Sequence, residues 1–152
     1  ADPWNGNGFR VIIARYSDIA PVFAAAHAHS PFVMIQQYVM GHEIACGVMA
    51  QDATLTAFMP VDIIPRRAED AVPWHLQEKR IELVRERAVQ AHRIINAARH
   101  SCVRFIVSED DAYITDIAWS PPLIRNSLFV ESARAVGLTL HELKKELHAE
   151  YE

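Results

Sequence analysis

Apolar residues recur along this chain in two rhythms, one of short dense runs and one of stripes spaced three and four apart. The runs fall at residues 9–14, 32–39, 42–50, 54–65, 103–107 and 112–117, each β-type in length and composition. The stripes predict helices. Residues 17–29 carry Ile19, Val22, Phe23 and Ala26, with Ser17 as cap and Pro21 in the first turn, where proline is tolerated. Residues 77–99 carry Ile81, Val84, Ala88, Ala91, Ile95 and Ala98 on one face. A helix begins near Ser127 and stops before Gly137. Thr139 and Glu142 form a capping box for a last helix with Leu140, Leu143 and Leu147.

Turn chemistry joins these pieces. Gln51-Asp52 connects two strands into a hairpin, and the acidic run Glu109-Asp110-Asp111 connects two more. Residues 66–73 have mixed charge and read as loop. The order is β-α-β-β-β-α-β-β-α-α. It predicts a single α+β domain over 1–152, a mostly antiparallel sheet with helices packed on one face.

Composition narrows the function classes. The 152 residues are 51% hydrophobic and 22% charged, with a formal net charge of −4. That balance suits a globular core and argues against a nucleic-acid partner. Arg66, Arg67, Lys79, Arg80, Arg85 and Arg87 collect locally, mostly on the long helix, and read as a solvated face. Cys46 and Cys102 sit in apolar runs and are expected to be free, buried thiols in a reduced compartment. No run reaches the ~18 apolar residues of a membrane span, and no signal-peptide pattern opens the chain. A cytoplasmic protein without a membrane partner is the expectation. Ala1-Asp2-Pro3 does not resemble a native start, which suggests a fragment or a removed tag.

The usual catalytic motifs are weak here. Eight histidines are scattered, and only His141 and His148 share a helix face, so no zinc centre is expected. A Ser-His-Asp triad lacks its G-x-S-x-G elbow. Gly6-Asn7-Gly8 is either a plain turn or a place where backbone amides approach a phosphate. The strand ending in Asp116, the proline loop after it and the helix at Ser127 form the most suggestive place for a site. Trp119 in that loop is expected to pack against the long helix.

Three stretches carry a resemblance. Residues 34–49, MIQQYVMGHEIACGVM, resemble the strand-and-linker segment of ATP-grasp enzymes, D-alanine–D-alanine ligases above all. Residues 127–143, SLFVESARAVGLTLHEL, are similar to the closing helical run of the same ligases. Residues 1–12 look like an altered form of their phosphate-covering stretch. The likeness spans nearly the whole chain but only the C-terminal part of such a ligase; the N-terminal substrate domain is absent. It implies an ATP site between two α+β lobes. Gln36 and Glu43 stand where two family glutamates hold adenine and ribose, and Gln37, Tyr38 and Val39 form the linker that offers backbone groups to the adenine edge. Glu43 retains an acceptor for ribose hydroxyls, although it reads equally as a polar strand residue facing solvent.

The implied Mg²⁺ centre is altered. The family's Asp, Glu and Asn positions are Arg104, Asp116 and Ala118, and its transition-state arginine is Cys102. Mg²⁺ needs hard oxygen ligands. Arg104 repels it and either pairs with Asp116 or meets a phosphate; Asp116 is the one remaining metal-ligand candidate, or else caps its loop. Pro121-Pro122 replaces Pro-Gly, and no Lys-Tyr region matches between Arg66 and Trp74. Ser127 corresponds to the serine that binds substrate carboxylate and also suits a helix cap. The expectation is a degenerate ligase-like domain with no catalytic residue assigned. ATP is the candidate cofactor and Mg²⁺ has a degraded seat; the protein acts as a binding, regulatory or assembly module, with a second copy or another protein as partner. The alternative is an active ATP-dependent carboxylate–amine ligase of cell-wall peptide synthesis whose missing parts come from elsewhere.

Overall fold

The computed structural model describes residues 13, 15–51, 54–63 and 76–148. The chain divides into two compact units, Ala1–Val39 and Met40–Glu152. In the first, a 3-10 turn at Tyr16–Asp18 leads into helix α1, Ile19–His27. Pro21 lies in its first turn, as expected. Ser17 does not cap it: its hydroxyl donates to Asp18 Oδ1 at 3.2 Å, and α1 has no side-chain cap. The strand expected at 32–39 is not formed. Those residues are irregular, with Phe32, Met34 and Ile35 exposed. An apolar run becomes a strand only where a ladder partner takes its backbone groups, and none does so here among the described residues. The strand expected at 9–14 falls outside the described residues except for Ile13, and the Gly6–Gly8 turn falls outside them altogether.

The second unit is an α+β sheet built around β1, His42–Gln51. β2 (Thr54–Ala57) and β3 (Val61–Asp62) pair with it on one side; β4 (His100–Val107) pairs on the other, and β5 (Ala112–Ala118) pairs with β4. Every pairing is antiparallel. The single strand expected over 54–65 is two, because Pro60 has no N–H for the ladder. The chain turns there, with Phe58 N–H donating to Gly47 O at 2.8 Å. The loop expected at 66–73 lies outside the described residues.

Helix α2, Glu78–Ile94, ends earlier than the stripe to Ala98 suggested. Asn96 adopts φ 50°, and the Asn96 and Ala97 amides donate back to Arg93 O and His92 O at 3.0 and 3.1 Å. That is a Schellman stop with Asn in glycine's usual place. α3, Leu128–Arg134, stops the same way, with Gly137 at φ 89° and Leu138 N–H donating to Ala133 O at 3.1 Å. α4 is Leu140–His148. Its capping box forms as the sequence predicts: Thr139 N–H donates to Glu142 Oε2 at 2.7 Å, and Glu142 N–H to Thr139 Oγ1 at 3.2 Å.

The helices divide between both sheet faces, where the sequence suggested one. Ile44, Cys46 and Val48 of β1, with Val103, Phe105 and Val107 of β4, pack on Val84, Ala88 and Ala91 of α2. Ala45, Met49 and Cys102 pack on Phe129, Val130 and Ala133 of α3 and on Leu143 and Leu147 of α4. The cause is visible in β1, whose six residues 44–49 are all buried. A strand apolar on both sides needs cover on both sides. Cys46 and Cys102 fall on opposite faces and are free. Burial pushes both thiols up, Cys102 to about 12.

Gly47 is the point at which α3 docks. A Cβ there would come within 2.9 Å of the Phe58 ring and 3.0 Å of the Phe129 ring. Its N–H donates to Ser132 Oγ at 2.9 Å, and the Ser132 hydroxyl donates to Met59 O at 2.6 Å. On the other face, arginines of α2 that the sequence read as a solvated face hold backbone carbonyls, although Arg85 stays exposed. Arg85 donates twice to Ala57 O, at 3.1 and 3.0 Å. Arg80 donates to the Asp110 and Glu109 carbonyls, and Arg87 pairs with Asp111 at 2.7 Å.

Two measurements check this account. Ser132→Ala leaves the Gly47 N–H and Met59 carbonyl without their buried partner and should cost about 1–3 kcal/mol. It should appear as a lower urea midpoint with unchanged slope. The second concerns acid. Burial lowers the pKa of His92 and His100 from 6.5, so the unfolded chain takes their protons first and stability falls as pH drops through that value. Hydrogen bonds from the Thr139 backbone and hydroxyl lower Glu142 from 4.5; its contribution holds above that value and is lost as pH falls through the folded one. Melting temperature against pH should therefore fall in two steps, and Glu142→Gln should flatten the lower step.

Candidate functional site

The β4–β5 hairpin sets the site. Arg104 pairs with Asp116, but the next residue of β4, Phe105, pairs with Ile114, so Thr115 is an extra residue in β5. This bulge resets the alternation of side chains. Simple alternation would put Tyr113 and Asp116 on opposite faces. With the bulge, both point the same way as Arg104 and Ile106 of β4 and Glu43 of β1, since Glu43 pairs with Ile106 and Ala45 with Arg104. This is the α3–α4 face, at the end the two helices leave open. Glu43, Arg104, Tyr113 and Asp116 are exposed there and Ile106 is half-buried. Gly41 fixes how the chain enters β1, because a Cβ would run into the Val107 carbonyl oxygen and lie 2.8 Å from Ile106 Cγ2.

Arg104 Nε stands 3.7 Å from Asp116 Oδ2, with side chains 48% and 58% exposed. Of the two readings of Arg104, pairing across the hairpin is the one observed. The pair also tests the seat for a divalent ion. The Asp116 carboxylate faces a guanidinium, and Ala118, two residues on, offers a methyl group. Among the described residues no group of three or more His, Cys, Asp or Glu is placed to hold a metal ion. These residues do not fit Mg²⁺, which asks for near-octahedral oxygen donors. They do present a carboxylate, Glu43, and a cation, Arg104, on one open face, a donor set suited to hydroxyls and phosphate.

The remaining expected site residues are placed as follows. Gln36, Tyr38 and Val39 form one irregular run of the first unit, with Gln36 and Tyr38 exposed and Val39 half-buried. Ser127 is half-buried and caps α3, accepting from Val130 N–H at 3.3 Å. Between Asp116 and Ser127 the loop is tied down by His100, whose Nε2 lies 3.2 Å from Pro121 O. A carbonyl only accepts, so Nε2 carries the proton. The His100 ring also rests 5.1 Å from Phe129. Trp119 is 72% exposed and not packed on α2. Sequence reasoning missed Tyr113, which joins the site only because of the bulge; no local signal marked it. His100 was one of eight histidines and had no motif to single it out.

A half-exposed ion pair contributes little to stability. Arg104→Ala should change the unfolding free energy by less than about 1 kcal/mol in urea titrations. A larger loss would make the pair a structural staple.

Three comparisons bear on the site. A sequence-family profile described as "D-ala D-ala ligase C-terminus" matches residues 11–148. The D-alanine–D-alanine ligase of Halalkalibacterium halodurans is 25% identical over 133 residues, 78% of this chain and 44% of that protein. Among solved structures, the D-alanine-D-alanine ligase from Coxiella burnetii superposes with TM-score 0.75 at 19% identity, over 90% of this chain and 39% of the other. The D-alanine–D-alanine ligase from Bacillus anthracis, solved in complex with ATP, gives 0.71 at 17% identity over 91% and 46%. The chain thus spans about half the length of the proteins it matches.

Proposed function

Given that the chain belongs to the D-ala D-ala ligase C-terminus family, as a C-terminal ATP-grasp part, we propose that it binds a nucleotide but does not carry out metal-dependent ligation as it stands. The observation that carries this is the Arg104–Asp116 pair, 3.7 Å apart, with Ala118 beside it. In the family those three positions supply oxygen ligands to Mg²⁺; here they supply a cation, a neutralised carboxylate and a methyl group. Phosphoryl transfer relies on positioning and charge neutralisation. Losing one such electrostatic donor costs about 3 kcal/mol. Three additive losses give roughly 9 kcal/mol, about six decades of rate.

The binding half of the proposal draws on what is retained. Glu43 is exposed at the start of β1, able to accept from ribose hydroxyls. Arg104 lies on the same face and offers its own charge to phosphate. Gln36, Tyr38 and Val39 of the first unit are the positions that the family resemblance assigns to the adenine edge. Such a domain acts as a binding, regulatory or assembly module, alone or with a second copy or another protein.

A second reading is favoured by two facts: the chain covers only 44% of a matched ligase, and Ser127 and Glu43 are kept. In it the chain is part of an active ATP-dependent carboxylate–amine ligase, completed by other segments. Calorimetry separates the two. The proposal expects ATP binding that changes by less than about threefold, under 1 kcal/mol, when Mg²⁺ is replaced by EDTA. It also expects no phosphate release on adding D-alanine. Mg²⁺-dependent binding with D-alanine-stimulated phosphate release would overturn the non-catalytic claim, and absence of any ATP binding would overturn the nucleotide claim.

A further inference from the structure

The geometry points to a second binding site, for small multiply charged anions, in the hollow between the α3–α4 turn and Arg125. The hollow measures about 630 Å³, within the ~300–1,000 Å³ usual for small-molecule sites. It shares no residue with the face that carries Glu43, Arg104 and Asp116, nor does it include Ser127, and it does not depend on the nucleotide proposal.

Its lining is cationic in a chain whose net charge is −4. Arg125, Arg134, His141 and Lys144 face it, and among the described residues no Asp or Glu lines it. Two carboxylates, Glu131 and Glu142, stand at its margin and are engaged by lining residues. Glu131 pairs with Arg134 at 3.1 Å, and Glu142 accepts from the Thr139 backbone and hydroxyl, both at 2.7 Å. The Glu131 pair offsets Arg134, so Arg125 and Lys144 carry the uncompensated charge. Neither has a side-chain hydrogen bond or ion pair with any described residue.

Shape argues the same way. The Schellman stop at Gly137 turns the chain sharply enough to bring Arg134, near the end of α3, and Lys144, on the second turn of α4, to one hollow. Half-buried Leu138 and Leu140 give it an apolar floor packed on the core beneath. Fixed cations around an apolar floor suit a compact ligand with two or more negative charges, a phosphate or a polycarboxylate, better than a neutral one. Ordering long side chains has an entropic cost, and like charges held together gain most when an anion neutralises them.

The test is titration of the full chain with inorganic pyrophosphate and, in a second arm, citrate, followed by amide-proton NMR. Saturable shifts at residues 125 and 134–144, lost in the Arg125→Gln/Lys144→Gln double variant, are expected. Arg125→Gln and Lys144→Gln, both exposed and remote from the core, should each weaken binding about tenfold, the size of one charge-assisted contact. Tighter pyrophosphate than citrate binding assigns the site to phosphates, and the reverse assigns it to polycarboxylates. Three results would overturn it: no saturable shift, shifts unchanged in the double variant, or shifts centred on Glu43, Arg104 and Asp116. ATP titration of the same double variant keeps this outcome separate from the nucleotide proposal, since its nucleotide binding should be unchanged.

Discussion

One buried hydroxyl of the second unit decides how that unit is assembled. Ser132 is fully buried, accepts from the Gly47 amide and donates to the Met59 carbonyl. A β-strand in mid-sheet has no spare amide for such a contact unless the ladder opens locally. It opens here because the chain leaves the sheet between β2 and β3 at Phe58–Pro60. The helix that carries Ser132 can come this close only because residue 47 has no side chain. A buried polar group with both partners satisfied specifies one docking pose, where apolar packing alone would tolerate several. The placement of α3, and through it of Ser127 and the loop back to Asp116, follows from that contact.

The opposite face is held by charge applied to backbone. Arg80, Arg85 and Arg87 reach from α2 to carbonyls of the β4–β5 turn and of β2. Guanidinium forks matched to carbonyls restrain loops that have little apolar surface of their own. The turn they restrain closes the hairpin that carries Arg104 and Asp116. The two faces thus divide the work: one fixes the hairpin from behind, and the other leaves its front uncovered beyond α3 and α4.

Much of this was legible in the sequence, and the rest was not for definable reasons. The Thr139–Glu142 box, the Ser127 cap and the Gly137 stop rest on contacts within one turn, so spacing alone foretold them. β1, β4 and β5 were found within a few residues because their apolar runs are bounded by turns. The run at 32–39 was equally apolar, yet strand formation depends on a partner that sequence does not name. The arginines of α2 looked solvated because their acceptors are carbonyls 25 to 30 positions away, invisible to a charge count. In the site, the Arg104–Asp116 pair could be anticipated from hairpin register, while Tyr113 could not, because a register shift is a property of two strands together. The resemblance pointed to Arg104 and Asp116; the structure shows them paired.

The extra residue at Thr115 has a consequence beyond the aim of Asp116. β5 is the outermost described strand on its side of the sheet, with Tyr113 and Ile114 both 44% exposed. A flat apolar border of this kind invites the border of another chain to zip onto it. The bulge breaks the even spacing of its outward amides and twists the strand, while Asp116 puts a charge beside the break. The irregularity that shapes the Arg104–Asp116 face therefore also makes this border a poorer template for edge-to-edge pairing.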